Sequence, residues 1–198
     1  MIIVIDVPTL DLRGFFAFFL KYRLRYKNKV VYLHRERYKV TIKYSIIMDF
    51  TTTIKISQMI INELTGSAFV HKMQGQLFKS QGFTKLGEKY IGHYTEEMGW
   101  VEKYTDRLLD LGYVPEVKVA NETKLIDDAK AYIEADLKLQ KEGVETLYKL
   151  MPSLAYDPTT YDLTKAYLLD EEEDQYWDEE QLDLIEKIGY QNWLVKQL

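Results

Sequence analysis

The sequence predicts an all-α fold: a bundle of four long helices closed by a short fifth. Three observations lead there. Apolar residues recur at three- and four-residue spacing through four segments of roughly 25–30 residues. Glycine or proline punctuates the joints between them. Two of the apolar stripes are broken near their middles by a polar residue, as a polar site inside a bundle would require.

The first segment covers residues 50–81. It has no proline and two glycines, Gly66 and Gly75. Ile56, Met59, Ile60, Leu64 and Phe69 are its apolar members, and Gly82 is a stop. The second runs from about Thr84 to Leu111 and ends at Gly112, with Pro115 beyond. Its stripe reads Tyr90, Tyr94, Glu97, Val101, Tyr104, Leu108, Leu111. The third is expected to begin near Asn121 or Thr123, either of which can cap it, and to run to about Met151 before Pro152. Its stripe reads Ile126, Ala129, Ile133, Leu137, Gln140, Val144, Leu147, Met151. The fourth begins after Pro158 and ends near Gly189, and "YQNWLVKQL" supplies the short fifth. Between the second and third, "GYVPEVKVANE" is long enough to cross the bundle end to end, since an extended residue spans at most about 3.3–3.6 Å.

Composition sets outer limits. With 198 residues, 46% hydrophobic and 29% charged, the chain suits one globular domain with a sizeable core. The absence of cysteine excludes disulfides, zinc–thiolate sites and a thiol nucleophile, and fits a cytoplasmic location. No apolar run approaches the roughly 18 residues of a membrane span, so no membrane is expected. Residues 48–198 carry no Gly-rich phosphate loop, Ser-His-Asp pattern or aromatic-and-basic face, so no nucleic acid is expected.

Charge separates the first 47 residues from the rest. They hold ten Lys/Arg and three acids, a net +7, whereas the whole chain is −5 and the remainder therefore −12. Residues 1–47 read best as a basic N-terminal extension outside the core fold, with Met48 as the natural start of the 48–198 domain. A basic binding arm and a short β-rich element are the alternatives, the latter because "VVYLHRERYKVTIKY" is rich in β-formers.

The polar interruptions carry the chemistry. A carboxylate buried without partners costs several kcal/mol, yet Glu97 sits on a core stripe, and Gln140 interrupts the third helix. Glu63 lies near the middle of the first helix, and "DEEED" (170–174) puts Glu171 and Asp174 on one face of the fourth. A di-iron carboxylate centre takes one Glu from each of two helices and a Glu-x-x-His pair from each of the other two. The spacing is right here, but the pairs read Glu97-x-x-Trp100 and Glu171-x-x-Asp174, so both histidines are missing.

From Ile54 to Leu198 the chain resembles the bacterioferritins of the ferritin-like superfamily. "NEL" (62–64), "FKSQGFTKLGEK" (78–89), "EEM" (96–98), "DRLLDLGYVP" (106–115), "ADLKLQKEG" (135–143), "LLDEEED" (168–174) and "QLDLIEKIGYQNWLVKQL" (181–198) follow the family in order. The resemblance implies a ferritin-like four-helix bundle with a short C-terminal helix, assembled into a hollow shell of twenty-four subunits. It also implies storage of ferrous and ferric iron, Fe(II) oxidation at a di-iron centre, and haem b held between two subunits.

Carried over one position at a time, the family's metal ligands fall on Glu63, Glu97, Trp100, Gln140, Glu171 and Asp174, and its haem-ligating methionine falls on Met98. Trp100 is the most damaging change, because an indole N–H only donates. Gln140 removes a charge, and Asp174 lacks the reach of imidazole. Glu97 and Glu171 should repel, leaving one protonated or hydrogen-bonded to Gln140 or Trp100. His93 is expected to be partly exposed, with replacement of a lost imidazole as the alternative. His71 is expected at a surface or interface. The reading is therefore a haem-binding iron-storage shell subunit with an impaired ferroxidase centre, partnering a ferroxidase-competent subunit. Its rivals are an active ferroxidase using His93, Gln140 and Asp174, and a structural bundle that uses neither metal nor haem.

Overall fold

The computed structural model describes residues 49–118 and 123–198, and in the N-terminal region the strand residues 4–5, 25–26, 29–36 and 39–44. The chain divides into two compact units, Met1–Asp49 and Phe50–Leu198.

The N-terminal unit contains β1 (Val4–Ile5), β2 (Arg25–Tyr26), β3 (Lys29–Glu36) and β4 (Lys39–Tyr44), in the sheet order β1-β4-β3-β2 with every neighbour antiparallel. β3 and β4 pair from Val31 opposite Tyr44 to Glu36 opposite Lys39, which leaves two residues to connect them. The β-formers of this stretch therefore do pair as strands, and the all-α description belongs to the second unit.

That unit is α1 (Thr51–Ser80), α2 (Thr84–Asp110), α3 (Ala129–Leu150), a 3-10 turn (Met151–Leu154), α4 (Pro158–Ile188) and α5 (Tyr190–Lys196). Gly82, Gly112 and Gly189 follow α1, α2 and α4 with φ of +92°, +73° and +82°, a left-handed region that disfavours a side chain. α4 starts with Pro158, and the Asp157 side chain caps it by accepting from Thr160 N. The start expected for the third helix is corrected. Asp128 caps α3 by accepting from Ala131 N at 2.8 Å. Thr123 lies before the helix in irregular chain, and Asn121 falls outside the described residues.

α1 and α2 pack with their backbones close together. A Cβ built on Gly75 would stand 2.7 Å from the carbonyl oxygen of Gly87, and one on Gly87 would stand 2.5 Å from that of Gly75. Both positions therefore require glycine. The connection from α2 to α3 runs beside α1 and is clamped to it twice. The Gln58 amide accepts from Glu116 N and donates to Glu116 O, and the Gln74 amide does the same with Ile126. Those clamps lie sixteen residues apart on α1, about 24 Å. The connection thus travels the length of the bundle and sets α3 parallel to α2.

Two apolar clusters result. Ile56, Ile60, Leu64, Tyr104, Leu108, Leu147 and Leu154 belong to the one near the start of α1. Phe78, Leu86, Tyr90, Ile133, Ile185 and Trp193 belong to the other, which α5 closes. The stripes lie slightly round from the expected faces. Tyr94, Val101, Leu111 and Leu137 are half-buried and Phe69 is exposed, whereas His93, Trp100, Tyr132 and Asp136 are buried. Between the two clusters the core is polar.

Candidate metal centre

Four helices contribute to the polar layer. α1 supplies His71, α2 supplies His93 and Glu97, α3 supplies Asp136 and Gln140, and α4 supplies Glu171, Asp174 and Asp178. Each residue is on a rigid helix, and regular helical spacing aims it inward.

His71 lies at the centre of one group. Its Nδ1 is 2.9 Å from Glu97 Oε2 and its Nε2 is 3.2 Å from Asp136 Oδ1, with all three side chains buried. Burial disfavours the imidazolium, but hydrogen bonds to Asp136 and Glu97 and the charges of both outweigh it and raise the His71 pKa well above its ordinary value. Burial raises the Glu97 pKa, with the His71 hydrogen bond opposing. The imidazolium therefore stands between two buried carboxylates as their shared cation.

The second group joins His93 and Asp174. His93 Nδ1 is 3.0 Å from Asp174 Oδ2, and Lys89 Nζ is 3.2 Å from Asp174 Oδ1. Burial pushes the Asp174 carboxyl up, but His93 and Lys89 together hold it below the usual range. Two acids nearby respond in the opposite sense. Burial, with Glu97, Asp174 and Asp170 close by, pushes Glu171 up to about 8, against a hydrogen bond from Tyr167. Burial beside Asp136 and Asp174 likewise pushes Asp178 up to about 8. At neutral pH both are largely uncharged, so the layer holds its acids by a mixture of ion pairs and protonation.

Trp100 is buried, its ring centroid 5.5 Å from that of Tyr167, and its indole N–H donates to Asp170. Lys103 Nζ stands 3.4 Å from the centroid of the same ring.

A ferritin-like domain model matches residues 55–188. This chain belongs to the ferritin-like superfamily, among the bacterioferritins. It is 36% identical to the "bacterial ferritin" of Neisseria meningitidis serogroup B over 133 residues, which is 66% of this chain and 84% of the relative. The Pseudomonas aeruginosa "bacterial ferritin" is 28% identical over 155 residues, covering 77% of this chain and 96% of the relative. The Mycobacterium tuberculosis "bacterioferritin" is 30% identical over 142 residues, covering 68% and 85%.

Within this bacterioferritin chain the expected residues separate into those at the layer and those away from it. Glu97, Gln140, Glu171 and Asp174 are at the layer, the first two buried and the last two half-buried. Glu63 is not: it is exposed beside a cavity of about 390 Å³ with Lys55, Tyr113 and Glu116. Eight residues separate it from His71, two turns and about 80° round the helix, so the two cannot share a face. His71 takes the inward place, and its expected surface position is corrected. His93 is corrected too, since it is 4% exposed. The partners expected for the two glutamates are corrected as well: His71 holds Glu97, Tyr167 faces Glu171, and Trp100 donates to Asp170 instead.

The displacement has one direction. His93 is one turn before Glu97, and Asp136 one turn before Gln140, on parallel helices. Asp178 is one turn after Asp174, and His71 two turns after Glu63, on the helices that run the other way. The charged groups have moved together toward the α5 end. Asp136 and Asp178 belong to the layer without having been expected there, and Asp136 is the one with a signal in the sequence. Asp136 lies four before Gln140 and three after Ile133, on the edge of the stripe.

Proposed function

We propose that this chain is an iron-storage shell subunit of bacterioferritin type whose di-iron centre is impaired. The observation that carries this reading is His71 between Glu97 and Asp136 at 2.9 and 3.2 Å. Two iron ions would supply the positive charge that such carboxylates need. Here an imidazole of the chain supplies it, and a metal at Glu97 would have to displace a charge-assisted hydrogen bond from a buried cation. Trp100 adds a second obstacle, because its indole cannot ligate and its bulk occupies the space of a ligand. Iron reaches the shell as cargo, and a ferroxidase-competent partner subunit would oxidise it.

In this proposal haem b binds between two subunits through Met98. The surroundings fit such a group. Met98 is half-buried and shares a face with Tyr94, one turn earlier. Phe69, half exposed, packs on Tyr94 at 5.7 Å between ring centroids, and exposed Met73 follows one turn along α1. A Cβ at Gly99, next to Met98, would meet nothing within 4 Å. Thioether ligation suits low-spin haem iron and raises its reduction potential, which fits electron delivery to stored ferric iron. Met98 points about 100° round the helix from Glu97, toward a neighbour rather than into the bundle, and two-fold symmetry would bring the same residue from both sides.

Oxygen uptake on adding Fe(II) to the pure homopolymer tests the first part. The rate should scarcely exceed that of buffer, and Trp100→His alone should recover only part of a ferroxidase's rate because Gln140 and Asp174 remain. Fast oxidation of two irons per subunit would establish the rival active centre instead. For haem, Met98→Leu should abolish a bis-methionine absorption spectrum while shells still form, since leucine keeps volume and apolarity. A wild-type protein that takes up no haem when haem is abundant would support the scaffold reading.

A further inference from the structure

His93, Glu96 and Asp174 each present one donor atom, and the three atoms lie within 4.8 Å of one another. His93 and Glu96 are three apart on α2 and so share a face, while Asp174 comes across from α4. The imidazole is 4% exposed. Its Nδ1 is 3.0 Å from Asp174 Oδ2, so this nitrogen faces the cluster and is the donor that an ion there would meet. We propose that His93, Glu96 and Asp174 form a single-ion site for a divalent first-row transition metal, which shares only Asp174 with the di-iron positions.

The donor set selects the ligand. One imidazole and two carboxylates suit Fe(II), Co(II) or Zn(II), whereas the hard cations Mg(II) and Ca(II) favour all-oxygen shells. Three protein ligands leave further positions for water. Access is available because Glu96 is exposed while His93 anchors the site from within. Lys89 now occupies the cationic role, with its Nζ 3.2 Å from Asp174 Oδ1. It is half-buried on a flexible stem, so it acts as a built-in competitor that an incoming ion displaces. The site does not depend on whether the ferroxidase centre works.

Titration of the chelator-stripped full-length protein with Co(II), read by visible absorption, tests this directly. The expected result is a band typical of a nitrogen-and-oxygen-bound ion, saturating at one per subunit. His93→Ala should abolish it, and Glu96→Gln, at an exposed position with little risk to folding, should weaken it by about tenfold or more. Lys89→Met should tighten it, and Glu97→Gln should leave it in place. Absence of a saturable band in the wild type would overturn the proposal. So would a band that survives both His93→Ala and Glu96→Gln, or one that disappears with Glu97→Gln.

Discussion

Asp178 shows how one residue can make the whole bundle sensitive to pH. It is 2% exposed, and its carboxyl is pushed up to about 8 by burial, with Asp136 and Asp174 adding repulsion and His71 and Lys89 opposing. An unfolded aspartate titrates near 3.9. Between about pH 4 and 8 the folded chain therefore holds a proton that the unfolded chain has lost. Linkage then requires stability to fall as pH rises through that window. Asp178→Asn keeps the shape and removes the titration. Its melting temperature should match wild type near pH 5 and exceed it at pH 8.5. A thermal melt of both proteins at the two pH values checks this, and an equal difference at both would show that Asp178 does not carry the effect.

Among the elements, the contact between the end of α2 and the start of α4 is held by an ion pair. Arg107 reaches both oxygens of Asp157 at 2.8 and 2.9 Å, and its Nε donates to Thr160 Oγ1 at 2.7 Å. Asp157 also accepts from Thr53 of α1, so one buried carboxylate ties three helices together. Burial would raise the Asp157 pKa, but its hydrogen bonds from Thr160 and Arg107 hold it low. Removing one partner of a buried pair leaves an uncompensated charge and costs about 3–5 kcal/mol. Arg107→Met should lose stability of that order in urea unfolding at pH 7. As the pH falls far enough to protonate Asp157, the gap between variant and wild type should narrow. Polar side chains act similarly on the α2–α3 connection, where Gln58 and Gln74 hold loop backbone that would otherwise lack partners.

At the scale of the molecule, the two units differ in charge and in kind of structure. Residues 1–47 carry +7 against −12 for the rest, and their described elements are strands, whereas Phe50–Leu198 is helical. No helix among the described residues is long and apolar enough to cross a membrane. A chain beginning at Met48 should therefore fold with full helical content and assemble as the whole chain does. Circular dichroism melts and size-exclusion chromatography check this; a large fall in melting temperature or loss of assembly would make the N-terminal unit part of the fold.

Local chemistry was enough to determine the number of long helices, most of their ends and the presence of a polar layer, but not the start of α3 or how far along the bundle the charged groups sit. Gly82, Gly112 and Gly189 end helices because their backbone conformation disfavours side chains, and such punctuation is written residue by residue. Glu97 and Gln140 announced a polar core because nothing in a single stripe could satisfy them. The partners of those residues were decided only in three dimensions. His71 and Glu63 both lie on α1, and which of them faces Glu97 depends on how far α1 slides and turns against α2. Gly75 and Gly87 set that registry through close backbone packing, which a one-helix pattern does not contain. The same holds for Asp136, Asp174 and Asp178. Alone, each is an acid near the edge of a helix face. Together, with two histidines between them, they form a charge-balanced layer, because burial forces every carboxylate to find a cation or keep a proton.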